Sequence, residues 1–196
     1  MQTKFVTSFL FSMLLIVSFT SCNSNKKDNT NNKISPTTEF NDKSSNDSTA
    51  FYEEIIAKDS LNTELRLMLA TNYYAERKFD EAIYHLVILT NIDTKNMEAL
   101  IMLGNVYYDT DQDEKAIETY QRVLAKDNSN VDVRCDLATC YLRLKKPNEA
   151  LALLKKNLSL DKNHAQTHHN LSVVYKELSR FNDAEEELLI FNKLKK

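Results

Sequence analysis

The chain has 196 residues, 42% hydrophobic and 27% charged, with a formal net charge of −3; that balance permits a packed core, and so small a charge excludes nucleic acid or an anionic membrane surface as the partner that charge alone would attract. It contains one glycine, two prolines and no tryptophan, where average usage would give roughly 7% Gly and 5% Pro. Phosphate-cradling loops and tight hairpins depend on glycine, because only Gly reaches φ > 0 cheaply, which argues against nucleotide-binding folds built on a Gly-rich loop and for helices joined by short turns.

The first element is Met1-Gln2-Thr3-Lys4 followed by an apolar run from Phe5 to Phe19 and then Thr20-Ser21-Cys22. A lone lysine before a short apolar run has the form of a secretory signal peptide. The run is interrupted by Thr7, Ser8, Ser12 and Ser18 and falls short of the roughly 20 apolar residues of a membrane-spanning helix. The cysteine just after it resembles the cleavage site of bacterial lipoproteins, with the small residues Thr20 and Ser21 before it. That resemblance implies that Cys22 becomes the N-terminus and carries lipid, and Asn23 after it implies delivery to the outer membrane. Ordinary signal cleavage and an uncleaved anchor are the alternatives. Residues 22–47 are dominated by Asn, Ser, Thr, Lys and Asp, too polar to bury a core, and are expected to form a flexible tether spanning on the order of 25–30 Å.

From residue 48 onward the sequence repeats. Leu69, Leu103, Leu137 and Leu171 are spaced by 34, as are Tyr73, Tyr107, Tyr141 and Tyr175, and Ala82, Ala116, Ala150 and Ala184. Ala70, Gly104, Ala138 and Ser172 form a small column beside the leucines. Leu and Tyr four apart lie on one helix face, and the small neighbour allows close helix approach. The alanines open a second helix, whose ridge continues at Leu86, Tyr120, Leu154 and Leu188. Asn62, Asn96 and Asn130, with His164 in the same column, precede each first helix, where Asn is a good N-cap. Each unit is therefore a helical hairpin whose apolar face is buried by stacking on its neighbours.

At these columns the sequence closely resembles the tetratricopeptide repeat (TPR), a 34-residue helical hairpin whose copies stack into a right-handed solenoid. The implied fold class is all-α: a half-repeat at 48–62, then repeats at 63–96, 97–130, 131–164 and 165–196, nine helices without strands. The family's frequent Trp is replaced by Arg66, Leu100, Arg134 and His168, and the Gly of its inter-helix turn by Arg77, Asp111, Lys145 and Ser179. The core columns are kept while the turn columns are degenerate, leaving turn geometry open.

The resemblance implies a protein-binding scaffold that holds a peptide or helix in a concave groove lined by the first helices. The implied lining is Glu64, Leu67, Thr71 and Tyr74 in repeat 1, and Glu98, Ile101, Asn105, Tyr108 and Asp109 in repeat 2. Repeats 3 and 4 would add Asp132, Cys135, Thr139, Leu142 and Arg143, then Gln166, His169, Val173, Lys176 and Glu177. Tyr74 and Tyr108 read as aromatic anchors. Glu64, Glu98 and Asp132 share one column, so a ligand of apolar and basic character is expected. The Lys/Asn/Arg clamp by which some TPR proteins hold chaperone C-termini is missing: Leu67, Ile101, Asn105 and Cys135 stand there instead.

Leu189, Ile190, Phe191 and Leu194 on the final helix form an apolar stripe without the extra capping helix of many such arrays, which suggests a second interface and self-association as the alternative function. His164, His168 and His169 contain a pair four apart, but no third metal ligand stands near, so no metal or cofactor is expected. Cys135 and Cys140, five apart on one helix, are roughly 8–9 Å apart between Cα atoms, beyond disulfide reach. No nucleophile elbow or zinc-protease pair occurs, and no catalytic activity is expected.

Overall fold

A stop signal and a start signal recur with the repeat period and cut the chain into nine helices among the described residues. They are α1 (Ser45–Lys58), α2 (Thr63–Ala75), α3 (Phe79–Ile92), α4 (Met97–Asp109), α5 (Asp113–Lys126), α6 (Val131–Arg143), α7 (Pro147–Leu160), α8 (Ala165–Glu177) and α9 (Phe181–Leu194). The protein is described by a computed structural model covering residues 45–195. The expected signal peptide (1–21), Cys22 and the tether up to residue 44 lie outside the described residues. The described residues form one compact unit, and no described helix is long and apolar enough to cross a membrane.

The start signal is a side chain. The Oδ1 atoms of Asn62, Asn96 and Asn130 accept from the backbone N–H of Leu65, Ala99 and Val133 at 3.0, 2.9 and 3.0 Å. Each satisfies one of the free donors at the opening of α2, α4 and α6. Asp93, Asp127 and Asp161 brace the preceding turns by accepting from the backbone N–H two residues on. His164 departs from the asparagine column and makes no side-chain cap at the start of α8.

The stop signal is backbone geometry. Arg77, Asp111, Lys145 and Ser179 all have φ between 58° and 60°. In each hairpin this residue donates to the carbonyl three back, and the next donates to the carbonyl of the repeat tyrosine: Lys78 to Tyr73 (2.8 Å), Gln112 to Tyr107 (2.9 Å), Lys146 to Tyr141 (2.9 Å) and Arg180 to Tyr175 (2.8 Å). This is a Schellman motif, which satisfies the last carbonyls of a helix and normally places Gly in the left-handed position. Here four residues with a Cβ adopt it, each at a cost of about 1 kcal/mol.

Between these signals the repeat columns form the core. The leucine and alanine columns are buried in all four repeats, and so are Tyr73, Tyr107, Tyr175, Leu86, Tyr120 and Leu154. One buried cluster runs from α1 into α6, and a second joins α6, α7, α8 and α9, with Tyr141 and Leu153 packed against both. The glycine column has a specific cause. A Cβ on Gly104 would lie 2.5 Å from Cε1 of Tyr120, the one aromatic in a column otherwise filled by leucine.

The column that departs from the family's Trp is buried throughout: Arg66, Leu100, Arg134 and His168. Its three polar members reach back six residues to an inter-repeat carbonyl, Arg66 to Ser60 (3.0 Å), Arg134 to Asn128 and His168 Nε2 to Lys162 (2.9 Å). A polar tie to the turn thus stands in for aromatic bulk. In α9 the pattern of packed positions changes. Ile83, Ile117 and Leu151 pack against the core, as do Leu124 and Leu158, but the same columns in α9 hold Glu185 and Asn192, both exposed. The face that earlier second helices bury is therefore polar in α9.

Candidate functional site

The expected groove columns lie on α2, α4, α6 and α8. Where α2 meets α4, Tyr74, Glu98, Ile101 and Asn105 come together around a mostly apolar pocket of about 420 Å³, with Met102 as the fifth wall. Four of these five were legible from the repeat register. Met102 was missed because its column (Met68, Met102, Asp136, Asn170) turns from apolar to polar halfway along the stack; its thioether, 3.8 Å from the Thr71 hydroxyl, supplies adaptable apolar surface.

The pocket walls are held by ties between and within repeats. Tyr74 donates to Asp109 Oδ2 at 2.5 Å, and burial, reinforced by that carboxylate, pushes its hydroxyl pKa up to about 12. Tyr120 reaches from α5 to donate to Asn105 Oδ1 at 2.8 Å. Thr71 is exposed but turns its hydroxyl back to the carbonyl of Leu67, itself half-buried against the core. Glu64 and Glu98 are exposed on the acidic column.

Further along, several expected groove residues are engaged in structure. Arg143 lies over the Tyr108 ring at 4.7 Å, donates to the Tyr108 carbonyl at 3.0 Å and pairs with Asp113 at 3.1 Å and with Asp111. It clips the α4–α5 turn and is not a free cation in the groove. Thr139 donates to the Cys135 carbonyl and accepts from Asn170. Asp132, the third acidic column member, is 2.9 Å from His164 Nε2. Asp136 is a groove-side carboxylate that column reasoning overlooked. Burial first, then Asp132 and Asp109, push its pKa up to about 6.

Cys135 is corrected. The register suggested a groove thiol, yet the side chain is 1% exposed, because Asn157 of α7 and His164 and Thr167 at the start of α8 cover it. Its sulfur lies 3.2 Å from Thr167 Oγ1, 3.3 Å from Asn157 Nδ2 and 3.8 Å from His164 Nδ1. Asp132, His164 and Cys135 thus form a line that superficially has the order of a nucleophilic relay. Burial raises the thiol pKa, and a nucleophile needs a thiolate with access to substrate. This line provides neither, and it ties α6 to the start of α8 instead. Cys140 is also buried, with its thiol pushed up to about 12 by burial.

The histidines take separate partners. His164 meets Asp132 and Thr167, His168 is buried with Nδ1 2.5 Å from Glu187 Oε2, and His169 packs against Phe191 with tilted rings 5.0 Å apart. No group of three or more metal-ligating side chains comes together among the described residues. On α9, Leu189 is 54% exposed and Leu194 is exposed, while Ile190 and Phe191 are half-buried. The expected stripe is thus split: Phe191 is drawn in by His169 and lies beneath Lys195.

Helical hairpins of 34 residues, stacked through Leu, Tyr and Ala columns and opening a pocket between successive first helices, define a TPR-type repeat protein. The family model described as "Anaphase-promoting complex, cyclosome, subunit 3" matches residues 75–156 and again, one repeat further on, residues 109–189. Together these matches cover more than half of the chain, which belongs to this TPR-like family. No curated protein matches the sequence. Among solved structures, a crystal structure of MamA is 20% identical, with a TM-score of 0.72 over 77% of this chain and 88% of its own. YrrB, described as a TPR protein with an unusual peptide-binding site, is 21% identical, with a TM-score of 0.68 over 76% of this chain and 77% of its own. A MamA RS-1 double mutant is 14% identical, with a TM-score of 0.71 over 77% and 85%. At these identities the likeness is one of fold.

Proposed function

We propose that the protein is a non-catalytic interaction scaffold that holds a peptide or helix of a partner protein along its first helices, with the α2–α4 pocket as the anchor point. The observation that carries this reading is the pocket of about 420 Å³ lined by Tyr74, Glu98, Ile101, Met102 and Asn105. Its apolar floor takes a buried side chain, and Glu98, with Asp109, Asp132 and Asp136 beyond it, favours a basic residue beside that anchor. The described titratable clusters supply no accessible activated nucleophile, which favours binding over chemistry.

The delivery half of the reading rests on sequence. A lipidated Cys22 would tether the repeats to a membrane of the bacterial cell envelope, the outer membrane by the Asn23 rule, through residues 23–44. Cys22→Ser should release the protein from the membrane fraction; firm retention would refute the anchor. For the groove, crosslinking in intact cells followed by mass identification should recover a partner whose capture falls at least ~10-fold in Ile101→Asp. Unchanged capture would refute the pocket assignment. The second reading, a self-associating envelope protein, is favoured by the exposure of Leu189 on α9. Under it, Leu189→Asp lowers the concentration-dependent mass in sedimentation, and a monomer at every concentration would rule it out.

A further inference from the structure

Two junctions between successive first helices bring the same three columns together. In repeats 3 and 4, the Thr139 hydroxyl donates to the Cys135 carbonyl at 3.0 Å and accepts from Asn170 Nδ2 at 3.3 Å. In repeats 1 and 2, the Thr71 hydroxyl donates to the Leu67 carbonyl at 2.8 Å. The residue 31 positions on, in the place of Asn170, is Met102, whose sulfur lies 3.8 Å from that hydroxyl. The two junctions differ in what crosses the gap: a hydrogen bond between polar groups in one, a thioether in the other.

That thioether is open to chemistry. Met68, Met97 and Met102 are all half-buried and pack against the same buried cluster, but Met102 is the one among them that also lines the α2–α4 pocket. At 3.8 Å the Thr71 O–H, already given to Leu67, makes only a weak second contact with the sulfur, which leaves its lone pairs free to react.

Hydrogen peroxide oxidises such a sulfur by oxygen transfer. A sulfur lone pair forms the S–O bond while the O–O bond breaks, and the departing hydroxyl takes the proton of the transferred oxygen and leaves as water. Sulfur loses two electrons and the peroxide gains them. The product is a sulfoxide, a strong acceptor in place of a nearly apolar group. This junction holds a donor for it. By rotating from the Leu67 carbonyl to the new oxygen, the Thr71 O–H makes between α2 and α4 the tie that Asn170 makes with Thr139. The Leu67 carbonyl keeps its backbone partner within the helix. Oxidation would thus give repeat 2 the polar chemistry that its column already has at Asp136 and Asn170.

We propose that Met102 is a reversible oxidation site: hydrogen peroxide converts its thioether to a sulfoxide held by Thr71, and the groove pocket thereby loses affinity for an apolar anchor. The site stands on the Thr71–Met102 junction, and its consequence for binding rests on the groove reading above.

The full chain is treated with dilute hydrogen peroxide, and sulfoxide at each methionine is followed by peptide mass mapping. Met102 should oxidise roughly 10-fold faster than Met68 or Met97, and methionine sulfoxide reductases should restore it; equal rates overturn the site. Thr71→Val removes the donor, so oxidation should lower Tm further in this variant than in the parent, and an equal fall overturns the tie. The pocket is probed with 4-methylbenzylammonium, whose ring suits Ile101 and Met102 and whose cation suits Glu98, read by the Ile101 methyl resonance. Oxidation should weaken binding roughly 10-fold. Met102→Asn, which copies Asn170, should bind weakly throughout, and Met102→Leu should bind equally well before and after peroxide. Undiminished binding by the oxidised parent, or an equal loss in oxidised Met102→Leu, overturns the regulation. Failure of the groove reading shows differently: the reduced chain then binds no probe, which refutes the regulation with it, while the oxidation map still decides the site.

Discussion

Gly104 and Tyr120 form a matched pair found in one repeat. The other repeats put Ala or Ser opposite Leu, whereas here the ring lies where a Cβ would be. Gly104→Ala should therefore destabilise by about 1–3 kcal/mol by overpacking, and Tyr120→Leu on top of it should restore most of the loss, because the pair then copies Ala70 and Leu86. Chemical denaturation of the double-mutant cycle checks this; independent, additive losses would contradict it. Asp136 gives a pH prediction. Its folded pKa of about 6 lies above the ordinary carboxylate value of 3.8, so the folded state binds the proton more tightly than the unfolded state. Its contribution therefore favours folding below about pH 4, declines as pH rises to about 6, and stays unfavourable above that. Asp136→Asn, which imports Asn170 of the next repeat, should raise stability at pH 7.5 by on the order of 1–3 kcal/mol, with the gain vanishing near pH 4. Equal gains at both pH values would show that the carboxylate is not the cause. The small column was legible in sequence, but Asp136 was not. Only packing decides that the single carboxylate of a mixed column is pressed toward two others.

At the scale of the element, the capping devices divide into those with a chemical signature and those without. The Asn62, Asn96 and Asn130 caps follow from side-chain chemistry, and Asn96→Ala should cost about 1 kcal/mol in thermal or denaturant melts. The Schellman turns carry no such mark, since Arg77, Asp111, Lys145 and Ser179 share nothing in sequence. All four nevertheless adopt the left-handed conformation, because two helices packed through fixed columns leave the connection no other path. Ser179→Gly relieves that strain without removing an ion pair and should stabilise by about 0.5–1 kcal/mol. Asp111→Gly should gain less, since it also releases Arg143. If Ser179→Gly is neutral or destabilising, the strain is not stored there.

In the whole described unit, two buried clusters overlap at α6, so stability is expected to be regional. Leu171→Ala, deep in the second cluster, should cost about 2–4 kcal/mol. Hydrogen exchange should then show α8 and α9 losing protection while α2 to α5 keep theirs, as in repeat proteins coupled through neighbours. Uniform loss across all helices would indicate one cooperative block. The strict 34-residue columns determined from sequence alone that the chain is a stack of helical hairpins. A helix has a fixed rise and turn, so spacing alone says which side chains share a face and must be buried. The same columns brought four of the five pocket residues to one place. Tertiary structure alone decided which of those faces stays open. Cys135 is sealed by Asn157 and Thr167, Arg143 is spent on the α4–α5 turn, and Phe191 is drawn under Lys195. Those outcomes depend on what stands across a gap from another helix, and residues far apart in sequence meet there without any periodic sign of it.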